Sequence, residues 1–121
     1  MKVMFMGTPQ IAINCLNALL DKHEVCCVVT KEDKPKGRGG MVCCSAVKEE
    51  ALCRNIEIVQ PQTLKDGKFL EVLKKYNPDI IVVVAFGLIL PKYVLDFPRY
   101  GCVNLHASLL PKYRGAAPIQ W

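Results

Sequence analysis

Asp79-Ile80-Ile81-Val82-Val83-Val84-Ala85 is the stretch that decides the fold. Its five β-branched residues in a row favour a pleated backbone, and they show no alternation of apolar with polar. The run therefore reads as an interior strand of a parallel sheet, covered on both faces. Asn77-Pro78 just before it stops a helix, on which Phe69, Val72, Leu73 and Tyr76 recur at i, i+3, i+4 and i+7 behind Asp66 as cap. Phe86-Gly87-Leu88-Ile89-Leu90-Pro91 follows as the turn beyond the strand's carboxyl end. Lys92 to Leu95 then reads as a short helix and Gly101-Cys102-Val103-Asn104-Leu105-His106 as another strand.

Toward the amino terminus the same grammar repeats. Val3 to Met6 is an apolar run closed by Gly7-Thr8-Pro9, after which Ile13, Leu16 and Leu20 take helical spacing, with Pro9 suited to the first turn. Glu24 to Thr30 reads as a buried strand and Ile56 to Val59 as a shorter one, with a helix between them that Ser45 caps and that runs to about Arg54. Lys31 to Cys44 has three glycines, a proline and no apolar period, and is expected to be a long, mobile, basic loop of the kind that carries function. The order predicts a doubly wound, mainly parallel, Rossmann-like α/β sheet with helices on both faces, incomplete at its carboxyl end.

Composition bounds the function classes. A chain of 121 residues, 51% hydrophobic and 22% charged, fits one domain and excludes a disordered chain. The longest apolar run, Ile80 to Leu90, is broken by Gly87 and is far shorter than the ~20 residues of a membrane span. Only Val3 to Met6 follows Lys2 before the first turn, which is too short for a secretory leader, so a cytoplasmic location is expected. The seven cysteines are odd in number and never spaced C-x-x-C, which argues against a zinc or redox motif and for no metal. The net charge of +5 fits an anionic partner without requiring one.

In a doubly wound sheet, ligands sit beyond the carboxyl ends of the strands, which directs attention to residues 7–10, 30–44, 86–91 and 106–115. Neither G-x-G-x-x-G nor G-x-x-x-x-G-K-[ST] occurs, so a dinucleotide or triphosphate lacks its cradle. Asn104 and His106 are two apart on a strand and share a face at its mouth. An amide donor beside an imidazole suits acyl transfer: Asn104 can stabilise an oxyanion while neutral His106 helps deprotonate an attacking amine. A serine nucleophile is the rival, but Ser108 lacks the G-x-S-x-G elbow and His23 belongs to the sheet's other end. On the local pattern alone, a structural hydrogen-bonding role for His106 stays open. So does a core role for Leu88, Ile89 and Leu90, and so does a solvated charge run for Lys31 to Arg38.

The stretch Asn104-Leu105-His106-Ala107-Ser108-Leu109-Leu110-Pro111 with Gly115 resembles the folate-dependent formyltransferase signature N-x-H-x-S-L-L-P-x-x-x-G, in the form used by methionyl-tRNA formyltransferases. Met6-Gly7-Thr8-Pro9, Lys36-Gly37-Arg38-Gly39, Val47-Lys48 and Val82 to Pro91 stand where that family has its other motifs, and Ala116-Ala117-Pro118-Ile119-Gln120 favours the tRNA enzymes over the purine and sugar-nucleotide ones. The resemblance implies 10-formyltetrahydrofolate as formyl donor, no metal, and the α-amino group of initiator methionyl-tRNA as acceptor. It makes Asn104 and His106 two of three catalytic residues. The pterin is then expected against Phe86, Gly87, Leu88, Ile89 and Leu90 and against Ser108, Leu109, Leu110 and Pro111. Arg38, Lys36, Lys34 and Lys48 are expected on tRNA. Cys44-Ser45-Ala46 and Met41-Val42 depart from the family pattern, and imply a less rigid, less basic loop.

The family's third catalytic residue, an aspartate on a later loop, is not in this sequence, nor is its C-terminal β-barrel. Residues 1–121 are therefore expected to be the N-terminal portion of the formyltransferase domain, inactive alone and part of a protein that is monomeric at full length. A formyltransferase or hydrolase acting on another substrate, and a noncatalytic pterin-binding module, are the alternatives.

Overall fold

The computed structural model describes residues 1–36 and 41–105, with the backbone alone at 34–36 and 41–43. Five strands form one sheet: β1 (Lys2–Gly7), β2 (Glu24–Val29), β5 (Ile58–Val59), β6 (Ile80–Val84) and β7 (Cys102–Asn104). Their order is β5-β2-β1-β6-β7 and every pairing is parallel. The crossovers carry α1 (Ile13–Lys22), α2 (Ala46–Cys53), α3 (Phe69–Tyr76) and the short α4 (Lys92–Asp96). This is the predicted doubly wound sheet, and its order reverses between β1 and β6.

Covering both faces is what removed the alternation from the sequence. Met4, Met6, Cys27, Val29, Ile81 and Val83 pack on one side against Leu73 and Phe69 of α3 and Val94 of α4. Val3, Phe5, Val28, Val82 and Val84 pack on the other against Leu16 of α1 and Val47 and Ala51 of α2. Each fully buried large side chain contributes about 1.5–3 kcal/mol, so β1 and β6 hold the two layers together.

Local signals end most elements where the sequence predicts. The Ser45 hydroxyl accepts from the Lys48 N–H at 3.0 Å and caps α2. Asn77 takes the left-handed conformation, φ 47°, and its N–H closes α3 on the Leu73 carbonyl at 2.7 Å. Asp66 is a correction: its carboxylate accepts from the Lys68 N–H at 3.0 Å in a turn before the helix, and Lys68 holds the cap position of α3. β5 is shorter than its apolar run, because only Ile58 and Val59 pair with β2.

The segment expected as a long, mobile, basic loop contains paired strands. β3 (Lys34–Lys36) and β4 (Met41–Cys43) pair antiparallel as a small ribbon outside the main sheet. A two-stranded ribbon satisfies its backbone by pairing, which requires no apolar period in the sequence. Among the described residues, no helix is long and apolar enough to cross a membrane.

Candidate active site

The carboxyl ends of β6 and β7 build the site. Val83 pairs with Asn104 and Ile81 with Cys102, so Asn104, the last residue of β7, stands on the α3/α4 face of the sheet. The Leu105 N–H donates to the Val83 carbonyl at 2.8 Å and holds the strand end in register. Asn104 is exposed, and it borders a cavity of about 410 Å³ lined also by Val83, Ala85, Phe86, Gly87, Leu88 and Leu105. A neighbouring cavity of about 390 Å³ brings Ile89, Leu90, Leu95 and Cys102 to the same asparagine. The tertiary structure thus joins Asn104 to the 86–90 turn, which the sequence reading linked only through the resemblance.

That turn is built from unusual backbone. Ala85 has φ 51° and Gly87 φ 101°, and for Ala85 the left-handed conformation costs roughly 1–2 kcal/mol. The Phe86 ring is buried in the α3/α4 core and anchors the turn, while Ile89 is 81% exposed beside the cavity. The Thr8 hydroxyl, at the end of β1, donates to the Phe86 carbonyl at 2.7 Å and fixes the turn from the other side. Cys102 sits in the second cavity, but burial, with Asp96 assisting, pushes its thiol up to about 11. At neutral pH it is therefore protonated and a poor nucleophile.

His106, Ser108, Leu109, Leu110, Pro111 and Arg38 lie outside the described residues. Lys34 and Lys36 are in β3, the ribbon's first strand. Lys48, on α2, donates to both oxygens of Asp33 at 3.0 and 3.2 Å, and Gln60 donates to the same carboxylate at 2.8 Å. The bond from Gln60 first, then the Lys48 ammonium, hold the Asp33 carboxyl below its usual range. Thr30, fully buried, sets its hydroxyl 2.7 Å from that of Ser45. These contacts clamp the foot of the ribbon to α2 and to the segment after β5. Sequence reasoning pointed to the segments holding Thr8, Thr30 and Asp33 but gave these residues and Gln60 no side-chain role, because each acts through a partner at least 15 positions away. His23 closes α1 just before β2, at the amino ends of the strands, so it is far from a serine mechanism at this site. Among the described residues, no group of three or more His, Cys, Asp or Glu is placed to hold a metal ion.

The fold is a doubly wound α/β domain with open cavities beyond the carboxyl ends of its strands, where such sheets hold their ligands. The family model described as formyl transferase matches residues 1–121, and the chain belongs to that family. Over its whole length it is 59% identical to the methionyl-tRNA formyltransferase of Clostridium botulinum (strain Alaska E43 / Type E3), 56% to that of Clostridioides difficile (strain 630) and 57% to that of Agathobacter rectalis. It covers 40%, 40% and 39% of those proteins, so the chain spans about 40% of the length of these curated relatives. The solved phosphoribosylglycinamide formyltransferase from Coxiella burnetii shares the fold, with a TM-score of 0.57 and 21% identity over 94% of this chain and 54% of that one.

Proposed function

We propose that this chain serves the transfer of a formyl group from 10-formyltetrahydrofolate to the α-amino group of methionine on initiator tRNA, in the cytoplasm. The observation that carries this reading is the position of Asn104 at the cavity wall opposite the 86–90 turn, in a chain so similar throughout to proteins named methionyl-tRNA formyltransferase. The amine nitrogen attacks the formyl carbon, and the Asn104 amide donates a hydrogen bond to the oxyanion that forms. Neutral His106 takes the proton from the attacking nitrogen. The bond from the formyl carbon to the folate nitrogen then breaks, and that nitrogen is protonated as it leaves. Leu88, Ile89 and Leu90, with Ser108 to Pro111, supply apolar walls for the flat pterin. Lys34 and Lys36 hold tRNA phosphates and Arg38 enters at the acceptor end, while Lys48, bonded to Asp33, braces the foot of the basic segment.

Asn104→Ala and His106→Ala in the full-length protein test the reading. Each is expected to lower kcat by about 10²–10³, the loss typical of an oxyanion donor or a general base. Losses below tenfold in both would return the two residues to structural roles. Rapid formylation of a purine or sugar-nucleotide amine, with methionyl-tRNA ignored, would replace the acceptor.

A further inference from the structure

Lys31 is the first residue after Thr30 at the carboxyl end of β2, and its side chain crosses to the turn after β6. A Cβ placed on Gly87 would lie 2.6 Å from Lys31 Cδ, 3.5 Å from Cε and 3.4 Å from Nζ, so the bare glycine is the seat of the lysine stem. Its carbonyl is held by Gln60 at 3.1 Å. Three lysines are half-buried among the described residues. Lys2 donates to the Tyr76 carbonyl and Lys48 to Asp33, whereas the Lys31 ammonium has no acceptor among the described residues. Two carboxylates line the same small cavity: Asp33 is already taken by Lys48 and Gln60, and Glu32, the next residue along the chain, is exposed and makes no bond to Lys31 among the described residues. Lys31 also lines a small cavity of about 100 Å³ with Glu32, Asp33, Pro61, Gln62 and Leu88, and Leu88 borders both larger cavities beside Asn104. A partly desolvated cation held at a cavity rim without a partner is poised for an anion.

We propose that Lys31 is a substrate-binding residue that holds an oxyanion, a carboxylate or a phosphate, at the junction of the 86–90 turn and the ribbon. The proposal rests on the formyl-transfer reading for its two candidate sources, the glutamyl carboxylate of the folate and a phosphate of the tRNA. The side chain reaches the site lying flat on Gly87, so stem and charge are separable by substitution. Lys31→Met keeps the stem without the charge, and Lys31→Arg keeps the charge.

In the full-length protein, Lys31→Met is expected to raise KM for one substrate about ten- to a hundredfold, as for loss of a charge-assisted hydrogen bond, with kcat within about twofold and Lys31→Arg within about twofold of the parent. If folate is the source, the penalty disappears with 10-formyltetrahydropteroate, which lacks the glutamyl carboxylates. If tRNA is the source, its KM rises and the log–log salt slope flattens by roughly 0.7–0.9. Unchanged KM for both substrates, a fall in kcat alone, or Lys31→Arg as damaging as Lys31→Met would overturn the proposal. Equilibrium binding of tetrahydrofolate and of tRNA separates the two failures. A parent protein that binds either without transferring formyl groups refutes the reaction while Kd still reports on Lys31, and one that binds neither refutes both.

Discussion

The sheet has two gaps beyond its strand ends, and they are used differently. Between β1 and β6, where the strand order reverses, the Thr8 hydroxyl bonds the Phe86 carbonyl at 2.7 Å and the Val47 N–H approaches the Thr8 carbonyl at 3.4 Å. Between β6 and β7 the Leu105 N–H bonds the Val83 carbonyl at 2.8 Å, but beyond that bond the crevice stays open: β7 ends at Asn104 opposite Val83, and the strained turn arches past it to leave the cavities. The reversal of order gives the domain its crevice. Which part of the crevice stays open is settled by turn geometry and strand length.

The contrast can be broken by substitution. Asn104→Ala at the open gap is expected to have the largest effect, the loss of about 10²–10³ in kcat given above, with stability nearly unchanged because the residue is exposed. Gly87→Ala should come next. A side chain at φ 101° is strained and meets the Lys31 stem, so denaturant titration should show a loss of at least ~1–2 kcal/mol, with a raised KM for the folate. Thr8→Val at the closed gap keeps the shape and removes the bond to the Phe86 carbonyl. It is expected to cost ~1 kcal/mol in urea unfolding and to change kcat by less than tenfold. A larger kinetic effect from Thr8→Val than from Asn104→Ala would invert the assignment of the two gaps.

The smallest effect separates buried core from surface. Burial pushes the Cys27 thiol up to about 12, with neighbouring Cys26 and Glu57 assisting. A thiol whose folded value is raised stabilises the fold fully below the unfolded value near ~8.5, and loses that contribution as pH climbs toward the folded one. Iodoacetamide at pH 8, followed by mass spectrometry, is expected to modify exposed Cys53 first and to leave Cys27 intact until the protein unfolds. Early labelling of Cys27 would show that the β1–β2 core opens locally.

Much of the domain is legible in consecutive residues. The Ile80–Val84 run, the α3 stripe ending at Asn77-Pro78 and the Ser45 cap are local, because side-chain period and capping chemistry act within a turn or two of the chain. The alternation of these signals fixed the parallel, doubly wound order, and the N-x-H pair with its flanking motif named the family. Only the tertiary structure turned the Phe86 ring into the core, paired the basic segment into a ribbon, tied Thr8 to Phe86, gathered Lys48 and Gln60 on Asp33, and laid Lys31 across Gly87. The helical crossovers bring residues 78 positions apart within 2.7 Å, as with Thr8 and Phe86. Hydrogen bonds, packing and charge pairing depend on that distance in space, whereas propensity and pattern depend on distance along the chain.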